Sequence, residues 1–373
     1  APGATALQQC VAAMTGALIG GWIWWLVDSW NGARLLHWLR QSELGAVPNL
    51  AGIWGEASVR MRNHHAGVGP RAGKFQESIG EFGGTFVRTA DGWTLPVTVT
   101  SPGLGAHGTV VICSALGVPR QFYGAFARGL CLAGWRVVTF DYCGIGEALA
   151  TGPGIPRFAD WGRRDIDAVL KWVHDTLVPE GCGGRKLVVL GHSAGGQLAG
   201  LAPHIVHADA LVHVAVSLAN VRLWPWRGLL SRPQLAWLLR VRIPLAVARV
   251  RGGMLPLSAI GMGPMAIPAT ILGDWARFAR RRGYLFAPRT GLDTSRYPRL
   301  AVPLLAWGFD DDPMAPARAI DALVAQFPAA SVTRRQVGGA ALPAKGVGHM
   351  GFFRASSGAP WWRETVAWLD ALA

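Results

Sequence analysis

The sequence predicts an α/β fold: a mostly parallel central sheet with helices on both faces and a helical cap inserted late in the chain. Three observations predict it. From about residue 81, short β-rich apolar runs alternate with segments of helical period. That is the pattern of a parallel sheet whose crossovers are helices. The alternation stops over residues 221–299, which are rich in Trp, Arg, Pro and Leu, and it resumes at Arg299. The chain has 373 residues, 51% of them hydrophobic, enough for one large core plus an insertion. The expected organisation is therefore 1–80 as an N-terminal apolar helix and linker, 81–220 with 300–373 as the core, and 221–299 as the cap.

Residues 10–27 carry no charge, close to the ~20 apolar residues of a membrane span. Asp28 ends the run, and Arg34 and Arg40 follow, which places the C-terminal side toward the cytoplasm. No Lys or Arg precedes the run, so it lacks the charged start of a secretory signal. The competing reading is an apolar helix packed on the main domain. Residues 38–63 resemble the membrane-proximal segment of phosphate-regulon sensor kinases. No phospho-acceptor or ATP-binding motif follows, so they read as a juxtamembrane linker.

The core elements follow in order. "GGTFVRTADGWTLPVTVTS" reads as two strands around the turn Ala90-Asp91-Gly92. "GTVVIC" is a short buried strand, and "RQFYGAFARGLCLAG" is a helix on Phe122, Phe126 and Leu130 that ends at Gly134. "WRVVTFDY" is the next strand. "ADWGRRDIDAVLKWVHDTL" is an amphipathic helix with Trp161, Ile166, Val169, Leu170, Val173 and Leu177 on one side. "RKLVVLGHS" is a strand that runs into a small-residue helix from Ala194, and "ALVHVAVSLA" is another strand. After the insertion come "RLAVPLLAWGFDDD", a helix near 315–326, the strand "SVTRRQV" and a final helix over 361–372.

Charge and cysteine usage bound the partners. Lys and Arg outnumber Asp and Glu 36 to 22, a net charge of +14, which reads first as an Arg-rich solvated surface, second as a membrane-facing one, and last as a nucleic-acid site. No zinc-finger, RNP or basic-zipper pattern occurs, so no nucleic-acid partner is expected. The five cysteines are odd in number, irregularly spaced and form no C-x-x-C, which favours a reducing compartment. His204-x-x-His207 has no Cys or carboxylate cluster beside it, so no metal is expected.

The chemistry centres on "VVLGHSAGGQ". A serine hydroxyl needs a base to take its proton and donors for the oxyanion that forms. On a sharp strand-to-helix turn, the residues two before and two after the nucleophile must be small. Gly191 and Gly195 meet that demand around Ser193, and the N–H of Ala194 lies at a helix start, aimed at the oxyanion. The scaffold order is Ser, then acid, then His. "WGFDDDPMAP" offers Asp312 first, then Asp311 and Asp310, at the end of a strand. "GVGHMGFF" offers His349, the only histidine after His213. A second oxyanion N–H comes from the loop "SALGVPRQFY", with Leu116 first and Val118 as alternative.

With these motifs in place, the chain resembles an α/β-hydrolase, and within the serine hydrolases the bacterial "predicted α/β-hydrolase" group. The residues that carry the likeness are "LGVPRQFY", "FDYCGIGEA", "RFADWGRRDI", "GHSAGGQLAGLAP", "WARFARRRGYLF", "WGFDDDPMAP" and "GHMGFFR", spread over residues 84–373. The resemblance implies a Ser-Asp-His triad, no cofactor and a cap over the site. One departure stands out: where the group has D-Y-R-G-x-G-x-S, this chain has Cys143 for the Arg and Ala148 for the Ser. Asp141 in that motif reads as structural.

The expected function is a serine hydrolase cleaving a carboxylic ester of a small hydrophobic substrate through an acyl-enzyme. Trp224, Trp226 and Trp237 of the insertion are the expected substrate-binding residues. Acyl transfer through the same triad is the alternative, as is a non-catalytic membrane-associated interaction protein. The expected setting is bacterial: membrane-associated through residues 10–27 with the catalytic domain on the cytoplasmic side, or cytoplasmic if that run is not a span.

Overall fold

In the middle of the sheet, short β-branched and aliphatic runs fold as strands because both faces are covered and nearly every position is buried, whereas the two edge strands are more exposed. The computed structural model describes residues 79–102, 105–149, 151–177, 186–228, 231–250, 253–260 and 265–372. The apolar run at 10–27 and the linker after it lie outside the described residues.

Strands β1 (Ile79–Arg88) and β2 (Thr94–Pro102) form an antiparallel hairpin. Gly92 sits at φ 92° in its turn, donating its N–H to Thr89 O at 3.0 Å. Then follow β3 (Gly108–Cys113), α1 (Gly124–Leu132) and β4 (Arg136–Phe140). Helix α2 is continuous through Phe158–Asp160, Trp161–Ile166, Asp167–Trp172 and Val173–Leu177, with two π-type stretches. Strand β5 (Lys186–His192) leads into α3 (Ala194–Ala199), and β6 (Ala210–Val214) follows. The inserted segment holds α4, continuous through Arg232–Trp237, Leu238–Arg242 and Ile243–Val250. It also holds strands β7 (Met254–Pro256) and β8 (Ala266–Pro268) and helix α5 (Ala269–Ala279). The chain returns to the main sheet with β9 (Pro303–Phe309), α6 (Ala317–Val324), β10 (Ser331–Val337) and α7 (Ala355–Asp370).

The main sheet has eight strands in the order β1-β2-β4-β3-β5-β6-β9-β10. Strand β2 runs antiparallel to β1 and β4, and the remaining pairs are parallel. Alternate residues of each strand feed two cores. Val111, Val138, Val189 and Leu211 point to the face covered by α2, α3 and the insertion. Val110, Ile112, Val188, Leu190 and Trp307 point to the other, where Phe126 and Leu130 of α1 and Trp361 and Leu369 of α7 close over them. The predicted stripe on α2 is the one that is buried, with Leu177 half-exposed at its end.

Two elements differ from expectation. The insertion contains the antiparallel ribbon β7–β8, with Leu255 opposite Ile267, both buried. Three-residue strands bounded by proline are too short to show a period of two. Helix α7 starts at Ala355 rather than Trp361. Its opening residues "ASSGAP" have loop composition, yet they fold as helix packed closely on the chain just before them, where a Cβ on Gly358 would fall 1.7 Å from Phe352 O.

Candidate active site

Strand β5 delivers the site. It ends at His192, and Ser193 occupies φ 49°, ψ −116° before α3 begins. An L-residue holds such a backbone only when its surroundings impose it, at a cost of order 1–3 kcal/mol. Here Ser193 N–H donates to Val214 O at 3.1 Å, and Gln197 N–H donates back to Ser193 O at 3.1 Å. The flanking glycines are a steric requirement. A Cβ on Gly191 would lie 2.2 Å from Gly196 Cα, and one on Gly195 would lie 2.1 Å from Cys113 O. The second contact presses the start of α3 against the loop that leaves β3. Ser193 itself is half-buried, so its side chain is reachable.

The three candidate carboxylates separate cleanly. Asp312 Oδ2 lies 2.8 Å from His349 Nδ1. Its Oδ1 accepts N–H bonds from Met314 (2.8 Å) and Ala315 (3.1 Å), and the residue is buried. Asp311 holds the histidine loop instead, its Oδ2 accepting from Val347 N (2.6 Å) and Gly348 N (3.1 Å). Asp310 turns to β10 and accepts from Gln336 Nε2 at 2.7 Å.

The loop after β3 faces the start of α3. Val118 spends its N–H on Ala115 O at 3.1 Å, closing a turn, so the Val118 alternative fails. Leu116 N–H has no intramolecular acceptor among the described residues. Ala194, first in its helix, has no helical acceptor either.

Two residues outside the expected set tie this loop to His349. Ala115 N–H donates to Tyr123 Oη at 2.8 Å. Tyr123 Oη lies 2.9 Å from His192 Nδ1, and His192 Nε2 lies 2.9 Å from His349 O. Burial, reinforced by the neighbouring His349, holds the His192 pKa well below its usual value, so its ring is neutral. One proton assignment then satisfies every atom: Nε2–H donates to the carbonyl, and Nδ1 accepts the tyrosine O–H. Nothing in the sequence signalled this chain. Tyr123 sits in "RQFYGAF" among core aromatics, 69 residues from its partner.

The loop after β4 is braced from the same side. Arg120 N–H donates to Asp141 Oδ1 at 2.7 Å, its guanidinium pairs with the same carboxylate, and Glu147 N–H donates to Asp141 Oδ2 at 3.1 Å. Cys143, in the place of the expected arginine, is buried with its N–H on Asp165 Oδ2 at 2.8 Å. Burial pushes the Asp165 carboxyl up to about 7.

The expected substrate tryptophans differ in burial. Trp224 is buried and donates its ring N–H to Pro313 O at 3.0 Å, anchoring the insertion to the Asp312 turn. Trp226 and Trp237 are 67% and 52% exposed. Helix α4 turns Leu235, Leu239 and Ile243 inward, which sends Trp237 outward. An enclosed lining is therefore not built from Trp226 and Trp237.

Comparison with known proteins adds to this geometry. The profile of the Alpha/beta hydrolase family matches residues 99–358. No curated protein matches the chain. Among solved structures, a soluble variant of monoglyceride lipase from Saccharomyces cerevisiae is similar with TM-score 0.52 at 14% identity, covering 77% of this chain and 94% of that one. An esterase from Exiguobacterium antarcticum has TM-score 0.48 at 13% identity, covering 77% and 99%. A hydrolase from Pseudomonas aeruginosa has TM-score 0.46 at 19% identity, covering 77% and 98%. At 14% identity the likeness to the lipase concerns the fold alone.

Proposed function

This chain belongs to the alpha/beta hydrolase family, and on that premise we propose that it is a serine hydrolase cleaving a carboxylic ester of a hydrophobic substrate through an acyl-enzyme. The observation that carries the reading is the Asp312–His349 contact at 2.8 Å in the same sheet that holds Ser193 on its strained turn.

Ser193 Oγ attacks the ester carbonyl, and His349 Nε2 takes its proton. His349 Nδ1–H donates to Asp312, which fixes the tautomer and stabilises the imidazolium. Asp312 keeps that orientation because its other oxygen is held by Met314 and Ala315. The N–H groups of Ala194 and Leu116 receive the oxyanion. His349 returns the proton to the leaving alcohol, and water then repeats the sequence on the acyl-enzyme. No observation favours acyl transfer over hydrolysis.

The test is hydrolysis of p-nitrophenyl butyrate by wild type, Ser193→Ala and Asp312→Asn. Ser193→Ala lowers kcat by ~10³-fold or more, and Asp312→Asn by a comparable factor through the wrong tautomer. Wild-type turnover by Ser193→Ala would refute the assignment. Adding an acceptor alcohol and analysing products distinguishes transfer, since the hydrolase gives only the free acid.

A further inference from the structure

The excess charge of this protein is concentrated in one segment. Residues 78–220 and 300–373 together hold sixteen basic and sixteen acidic residues and are neutral. Residues 1–77 contribute +2. Residues 221–299 hold fourteen arginines, no lysine and two aspartates, a net +12. Both aspartates are already engaged: Asp274 with Arg157 and Arg277, Asp293 with Arg296. Among the described residues Arg222, Arg227, Arg240 and Arg249 are exposed and form no ion pair.

The same segment presents apolar surface to solvent. Helix α4 is apolar on two opposite sides. Leu235, Leu239 and Ile243 pack inward, whereas Trp237, Val241 (41% exposed) and Leu245 (50%) follow one another at four-residue steps on the outside. Arg240 and Arg249 flank that stripe. The Arg232 guanidinium lies 4.4 Å over the Trp226 ring, and that of Arg242 lies 6.0 Å from the Trp237 ring.

We propose that this outer face of the insertion docks on the surface of an anionic phospholipid bilayer. A helix lying in the interface buries one apolar stripe at the acyl boundary and sets arginines against headgroup phosphates. Trp237, Val241 and Leu245 supply the stripe, and Arg240 and Arg249 the phosphate contacts. Arginine suits both roles, since its stem lies along apolar surface while the guanidinium reaches a phosphate. Charge complementarity selects the anionic surface, and the exposed Val and Leu select lipid over nucleic acid, whose phosphate backbone gives aliphatic side chains no partner. The docking is independent of Ser193 chemistry.

The experiment uses the full chain with vesicles of phosphatidylcholine, with and without phosphatidylglycerol. Co-sedimentation gives affinity, and hydrogen–deuterium exchange locates the contact. Wild type binds the anionic vesicles about tenfold or more tightly than the neutral ones, with protection over residues 232–250. Arg240→Glu with Arg249→Glu removes the preference for anionic vesicles. Val241→Ser with Leu245→Ser weakens anionic binding several-fold. Unchanged thermal unfolding shows that each variant is folded, as expected for exposed positions. Anionic binding that persists undiminished in both variants, or that leaves 232–250 unprotected, would overturn the proposal and move any membrane contact elsewhere in the chain. Tight binding of a DNA duplex without vesicle binding would also overturn it. Fluorophosphonate labelling of Ser193 reports the proposed hydrolase chemistry separately.

Discussion

The candidate residues Ser193, Asp312 and His349 stand out in the sequence because their side-chain types suit the proposed chemistry and their order follows the scaffold. Asp312 separated from Asp310 and Asp311 only in three dimensions, where each carboxylate takes different partners. Tyr123 and His192 escaped notice because their role exists only through long-range hydrogen bonds. They link the loop of Ala115 to the backbone of His349. Tyr123→Phe therefore leaves the Ala115 N–H and His192 Nδ1 buried without their partner. Its unfolding free energy falls by about 1–3 kcal/mol. Its kcat for p-nitrophenyl butyrate falls more than KM rises, because both ends of the chain of bonds adjoin the proposed reacting groups. A proportional loss limited to KM would contradict that link.

Elements were legible where period and punctuation agreed. Strands β3, β4 and β5 and helix α2 lie where the sequence placed them, since their burial follows the pattern of apolar residues. The β7–β8 ribbon was not, because pairing between two three-residue strands decides it, and the start of α7 was not, because its opening residues have loop composition. Gly195 shows how an element junction serves the site. Gly195→Ala puts a methyl group against Cys113 O and Ser114 O, so the loop after β3 must retreat from α3. Stability drops by about 1–3 kcal/mol, and ester hydrolysis drops further than unfolding explains, a difference read by kinetics below the melting transition. Helix α2 carries a second test. The buried Asp165 carboxyl, raised from 3.8 to about 7, keeps its proton in the folded state over a range where the unfolded chain has lost it. Its contribution to stability is complete below 3.8 and disappears as pH rises toward about 7. Asp165→Asn retains an acceptor for Cys143 N–H and cannot ionise. The thermal midpoint of wild type should fall relative to that of the variant between about pH 4 and about pH 8, because the buried histidines titrate equally in both. A difference between the two that does not change with pH would show that Asp165 is not the titrating group.

For the whole molecule, a neutral hydrolase core carries an arginine-rich insertion between β6 and β9. The fold class and the existence of the insertion were visible in the alternation of strands and helices. The outward direction of Trp237 was not, because helical rotation is set by which face finds the core. The central claim is that this scaffold makes Ser193 a nucleophile with His349 as its base. Its most direct measurement is reaction of the folded full chain with a fluorophosphonate, followed by peptide mass mapping. One adduct on the peptide containing Ser193, absent in Ser193→Ala and strongly slowed in His349→Ala, is the predicted result. A folded protein that stays unlabelled, or that carries the adduct on another residue, would contradict the account.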